Sequence, residues 1–211
     1  MSLYQEVTRK PWNTVGLPDG IDPKPTFAVS NEKLALVVFV IVASVLFSLL
    51  TVSYFIRMWF GGGDWLPVAL PSMLWVNTGV LIAASVCMQI AVLNARRDHS
   101  SSHYANRKTQ WFLIAGIATL AFIVGQLTVW QQLTEQGYFL QSNPANAFFY
   151  LLTGVHILHL LGGLWVWSRA LLRQRRNDSS HDIRKSIELC AWYWHFLLIV
   201  WFGLFYLVAT N

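Results

Sequence analysis

Three histidines and one glutamate, His156, His159, His195 and Glu188, stand within otherwise apolar stretches of the 211-residue chain. His156 and His159 form a His-x-x-His pair, one short turn apart on a helix. Glu188, Trp192 and His195 follow at spacings of four and three, which return to one helical face. Imidazoles from two neighbouring helices are what a bis-histidine haem requires, provided that their depths match. His159 lies about nine residues from the basic end of its stretch and His195 about seven from the same end of the next, a difference of roughly 3 Å at the helical rise. The depths permit a haem without requiring one, because Gly162 and Gly163, which would face a porphyrin, serve plain helix packing equally well. A copper or non-haem iron site needs three or more converging ligands, and these residues supply them only if both helices meet face to face. The structural reading is that the imidazoles bond to neighbouring helices or to lipid headgroups. Glu188 opens the last apolar stretch, where the positive end of a helix dipole favours a carboxylate; its functional reading is that it and His195 face a lipid headgroup or a proton-bearing surface.

Other chemistries lack their residues. No other acidic side chain lies within an apolar stretch, whereas proton pumps and proton-coupled transporters carry one near mid-membrane. The sequence has no glycine-rich phosphate loop, no paired carboxylates at membrane depth and no nucleophile with a base in reach. No active site of its own is expected. A small membrane cytochrome of the b type, ligated through His159 and His195, and a small transporter are the competing readings. An inverted-repeat transporter fits poorly, since the halves show no internal repeat.

The elements that must position these residues are plain from composition. The chain is 55% hydrophobic and 12% charged, with eleven tryptophans and thirteen phenylalanines, and its apolar residues come in blocks long enough to cross a bilayer. The expected fold is all-α: an integral membrane bundle of five transmembrane helices over residues 34–56, 71–93, 110–133, 147–172 and 188–208, preceded by a polar tail over residues 1–33. The tail has no apolar core followed by a small-residue cleavage site, so no cleaved signal peptide is expected. Ser44, Ser48, Thr51 and Ser53 in the first span can bond back to their own helix backbone. Asn77, Thr78 and Gln89 in the second are expected to bond across to a neighbouring helix, and Gly116 and Gly125 in the third to allow close approach. Cys87 and Cys190 both lie in apolar blocks and suggest no disulfide. The net charge of +5 is concentrated in the connections 94–109 and 169–187, so it reads as topology rather than a nucleic-acid footprint. By the positive-inside rule both connections are cytoplasmic, which puts the amino terminus in the cytoplasm and the carboxyl terminus in the periplasm.

Thr153-Gly154-Val155-His156-Ile157-Leu158-His159, followed by Gly162-Gly163, resembles the signature of subunit III of haem–copper oxidases. Glu188 with Tyr193-Trp194-His195-Phe196 and Trp201 is similar to that family's final helix, and Leu74-Trp75-x-Asn77-Thr78 and the Gln126 region fit its intervening helices. The likeness covers residues 34–208 and is to the shorter, five-span bacterial form. It implies a non-catalytic subunit of a terminal respiratory oxidase, with cytochrome c or quinol as electron donor, in the bacterial inner (cytoplasmic) membrane. Such a subunit has no cofactor of its own. Haems and copper are expected in partner subunits, and bound phospholipid among its own helices. The partners implied are the catalytic subunit I, subunit II, and subunit IV or a supercomplex. The role implied is support of complex stability and proton uptake. Carried over position by position, Glu188, Trp194, His195, His156, His159 and Asn77 are the lipid-binding or packing residues. Two departures stand out. Many relatives have a glutamate in the helix matching the first span, where this chain has Ala43 and Ser44, and an aspartate three residues after the final-helix histidine, where it has Leu198. These departures keep a subunit-III-like component of a nitric oxide reductase as an alternative.

Overall fold

The computed structural model describes residues 30–61, 63–67, 71–97, 102–175 and 180–210, apart from the side chains of 102–106, 175 and 180–182. The described residues form five helices: α1 (Asn31–Phe60), α2 (Met73–Arg97), α3 (Ser102–Glu135), α4 (Pro144–Arg175) and α5 (Ser180–Ala209). All five are long and apolar enough to cross a membrane. Each continues past the apolar stretch seen in the sequence, because its polar ends stay helical. The expected tail lies outside the described residues up to residue 29. The described residues up to Ala35 belong to one unit and those from Leu36 onward to another. In the first, the backbone N–H groups of Lys33 and Leu34 donate to the Ser30 carbonyl at 3.0 and 3.1 Å as α1 begins.

In the second unit, α2, α3, α4 and α5 close a ring, with α2 against α3 and α5, and α4 against α5 and α3. Helix α1 is peripheral. Only 11% of its most apolar window is buried, against 44% or 50% in the other four. It rests on α4 and α5 through rings: Phe39 on His159 and Tyr193, Phe47 on His156 and His159, and Tyr54 on Phe148. Ala43 is buried one turn from both Phe39 and Phe47. The hydroxyls of Ser44, Ser48 and Thr51 donate to carbonyls four residues back, at 2.7, 2.7 and 2.8 Å.

The turn between α3 and α4 shows why these helices stop and start where they do. Gly137 takes a φ of 86°, a left-handed geometry that costs other residues energy. It lets the N–H of Tyr138 donate to Leu133 O at 2.9 Å and that of Gly137 to Thr134 O at 3.1 Å, which closes α3 with a Schellman motif. Asn143 then caps α4. Its Oδ1 accepts from the Ala145 N–H at 3.1 Å, and Pro144 takes the first helical position, where a missing N–H costs nothing. At the same end of the bundle Arg57 donates to Asp64, and this hydrogen bond holds the Asp64 carboxyl below its usual range.

Candidate functional site

The polar residues of the ring are directed at one another. In lipid, helices gain little from the hydrophobic effect against each other, so packing and interhelical hydrogen bonds carry more of the association. Three tryptophan–threonine pairs supply such bonds. Trp194 on α5 donates its indole N–H to Thr119 on α3 at 2.8 Å, and Trp201 on α5 to Thr78 on α2 at 3.0 Å. Trp130 on α3 donates to Thr153 on α4 at 3.1 Å. Each threonine hydroxyl gives its own proton to the carbonyl four residues back, at 2.9, 2.8 and 2.7 Å respectively. The oxygen is left free to accept from the indole. Asn77 adds a bond from α2 to Gln126 on α3 at 3.0 Å. Glycines make room for these contacts. A Cβ on Gly116 would enter the Trp167 ring, and one on Gly125 would strike the Asn77 carboxamide. On Gly163 it would come within 2.8 Å of the Tyr193 ring.

The three histidines take three different positions. His156 is fully buried, with Trp201, Phe122 and Phe47 around it at ring-centroid distances of 5.2, 6.1 and 6.3 Å. His159 faces α1, packed on Phe47 at 5.2 Å, and its Nδ1–H donates to Val155 O at 2.8 Å. The carbonyl of His159 accepts from Tyr193 Oη at 3.0 Å, so the α4–α5 seam is made by backbone and tyrosine. His195 faces α2. Its Nε2–H donates to Gln89 Oε1 at 3.0 Å, and its Nδ1 accepts from the Ser85 hydroxyl at 2.6 Å. His159 and His195 therefore agree in depth but point to different neighbours, which is not an arrangement for a shared haem. Among the described residues no three His, Cys, Asp or Glu side chains are grouped to hold a metal.

Glu188 corrects one expectation. The apolar run opens there, but α5 begins at Ser180, which leaves Glu188 two turns inside the helix, beyond reach of the terminal dipole. Its carboxylate accepts from Arg96 on α2 at 3.0 Å and from Arg184, one turn earlier on α5, at 3.3 Å. With Arg96 and Glu188 side chains 54% and 29% exposed, Glu188→Gln is expected to lower the chain's stability in detergent by about 1 kcal/mol or less. Thermal unfolding at low and high salt checks this, and the loss should shrink as salt rises.

Of the six sequence-chosen residues, the ring encloses Asn77, His156 and Trp194, while Glu188, His159 and His195 lie at its partly exposed seams. The structure adds Thr119 and Ser85, which the sequence reading did not single out, and gives partners to Thr153 and Tyr193, which it had named only as parts of the family motifs. The signal for Thr119 and Ser85 was a hydroxyl at the same depth as an indole or imidazole on another span.

These features define a polytopic helical membrane subunit whose side chains mainly hold its own helices in register. The family model described as cytochrome c oxidase subunit III matches residues 17–210, and the chain belongs to that family. Its relatives include a probable cytochrome c oxidase subunit 3 of Mycobacterium tuberculosis, 32% identical over 147 residues, 68% of this chain and 70% of the relative. The cytochrome c oxidase subunit 3 of Corynebacterium diphtheriae is 32% identical over 149 residues, 69% of this chain and 70% of the relative. That of Thermostichus vulcanus is 28% identical over 184 residues, 83% and 85% of the two chains. Membership makes this chain an accessory, multi-pass membrane subunit of a respiratory-chain oxidase.

Proposed function

We propose that the chain is the redox-inactive third subunit of a bacterial haem–copper oxidase that takes electrons from cytochrome c. In this reading it sits in the cytoplasmic membrane beside the catalytic subunit I and subunit II, which carry the haems and copper, and holds phospholipid in its seams. The observation that carries the proposal is the pairing of the conspicuous polar groups. Trp194, His195, Asn77 and Glu188 each bind a group on another helix of the same chain. Such residues build a scaffold and leave redox chemistry to a neighbour. The cytochrome c donor follows the names of the relatives.

Orientation follows from charge. The antiparallel spans bring Arg96, Arg97, Arg107, Lys108, Arg169, Arg173 and Arg184 to one end of the bundle, which the positive-inside rule makes cytoplasmic. Arg169 there lies over the Trp165 ring at 5.0 Å, a pairing suited to the headgroup layer. Two arginines share one carboxylate at Glu188, so the cluster keeps a positive charge for a phospholipid phosphate. Phe39 and Phe47 pack on His159 where α1 meets α4, and the exposed side of Phe39 suits an acyl chain. The role that carboxylates at the two departure positions play in proton uptake elsewhere in the family does not carry over to this chain. Ala43 is buried, and Leu198 packs against the apolar core.

The test is purification of the tagged chain from its native membrane in mild detergent, with visible spectra taken before and after partners are stripped. Haem bands should co-purify with a large partner and leave with it. His159→Ala should leave the haem content of the complex unchanged. Haem retained by the isolated chain, and lost in His159→Ala, would overturn the proposal.

A further inference from the structure

We infer that the outward surface of α2 and α5 at half-membrane depth is the seat of a partner subunit's transmembrane helix that presents a hydrogen-bond acceptor to Gln89. The inference rests on the accessory-subunit reading above and assigns the face through which it works.

Gln89 is exposed, although it lies deep in its span. The middle of Met73–Arg97 is residue 85, so Gln89 is about 6 Å from the middle at the helical rise. His195 is one residue from the middle of Ile183–Ala209. Half the hydrocarbon thickness is about 15 Å, which keeps headgroups and water out of reach of both. The pair is partly satisfied within the chain, because Gln89 Oε1 accepts from His195 and Ser85 donates to His195. The carboxamide nitrogen of Gln89 has no acceptor among the described residues. It faces out of the bundle with two donors, and acyl chains offer them nothing. Polar groups at this depth face protein or a polar cavity rather than lipid, so the surface is completed by another protein.

The ground around Gln89 suits a helix. Val86 on α2 and Ile199 on α5 are exposed and apolar. About three turns further along, at a level they share, Gly79 on α2 and Gly203 on α5 are also exposed, and a Cβ added to either meets nothing within 4 Å. Small residues on an outward face let a helix backbone approach closely, and a polar group elsewhere along it adds the hydrogen bond that fixes register. Among the described residues no other outward face exposes a side-chain amide at mid-depth. There α3 shows Ile117, Leu120 and Val124, and α4 shows Leu158, Leu161 and the open Gly162. The exposed hydroxyl of Ser48 on α1 is already bonded to its own helix.

The experiment uses the whole oxidase in native membranes. A photoreactive side chain placed at Val86 should cross-link to another oxidase subunit, and one placed at Leu120 on α3 to lipid alone. Gln89→Leu should reduce the amount of this chain retained in the detergent-purified complex by about threefold, the scale of one interhelical hydrogen bond in a membrane. Leu120→Ala should leave retention unchanged. Cross-links from Val86 only to lipid, or only to a second copy of this chain, would overturn the assignment of the face. If those results came while the chain still co-purified with the oxidase, the accessory-subunit reading would stand and only the face would be wrong. Failure to co-purify at all would reject that reading itself.

Discussion

Trp194→Ala is expected to cost the chain about 3 kcal/mol, the low end of the range for truncating a buried aromatic. Trp194 is 1% exposed and sits where α3, α4 and α5 meet, with its indole N–H on Thr119 and its ring near Gly163. The low end applies because the reference state in a membrane is already in an apolar solvent, so the loss is packing and a cavity rather than transfer from water. Two partial variants separate ring from hydrogen bond. Trp194→Phe keeps most of the ring and removes the donor; Thr119 still gives its proton to Ala115 O, so no buried donor is orphaned, and the cost should be about 1 kcal/mol. Thr119→Val preserves shape but strands the indole N–H in the core. That should cost about 1–3 kcal/mol, the penalty for an unsatisfied buried polar group. Reversible unfolding of the purified chain in mixed detergent micelles measures all three. The order Ala worst, then Val at 119, then Phe at 194 is the expected result. A Thr119→Val variant as stable as the parent would mean that the indole has another acceptor and that the threonine pairs are incidental.

The spans were legible because twenty apolar residues in a row have few other uses. Their ends were not, because a membrane helix continues into the headgroup layer, where its residues are polar. That is why Ser180, rather than Glu188, begins α5, and why a dipole argument was applied to a carboxylate that two arginines hold. Depth was also legible. Ser85 and His195 meet near mid-span, and Arg96 and Glu188 meet near the basic end, as residue counts along antiparallel helices imply. Rotation about the helix axis was not legible. His159 and His195 share a depth, which left a haem between them open, yet one ring lies against α1 and the other against α2. With apolar residues on nearly every face, the pattern in sequence that would reveal rotation is missing. The hydroxyls show the same limit. Thr78, Thr119 and Thr153 make the same backward bond to their helix as Thr51, and only their three-dimensional neighbours turn the first three into acceptors for indoles.

Gly116→Leu is expected to produce the second large effect, and it tests whether close approach of helices, rather than polar bonding, sets the register of α3. A Cβ at Gly116 would enter the Trp167 ring of α4. That ring cannot swing aside freely, because its N–H is bonded to Phe112 O at 2.9 Å and Trp167 is itself 9% exposed. Even Ala at 116 must therefore push the two helices apart, at a cost of about 1–3 kcal/mol, and Leu should prevent the native packing altogether. Gly125→Ala fails by a different route. The new methyl strikes the Asn77 carboxamide and breaks its bond to Gln126, which is fully buried. The loss of that bond strands the Gln126 carbonyl oxygen, and the penalty should again be about 1–3 kcal/mol. Replacing Asn77 and Gln126 together by leucine in the Gly125→Ala background should recover part of that loss, because no polar group is then left unpaired. The same double replacement should do nothing for Gly116→Ala. Gly162→Ala is the control, since a Cβ there meets nothing within 4 Å; it should be neutral or stabilise slightly, by up to about 1 kcal/mol, from helix propensity. Unfolding of the six variants in the same micelles decides the matter. Equal losses at 116, 125 and 162 would show that glycine matters here for chain flexibility and would remove the packing argument. Losses at 116 and 125 alone, with rescue confined to 125, would show that one glycine admits an indole and the other a carboxamide.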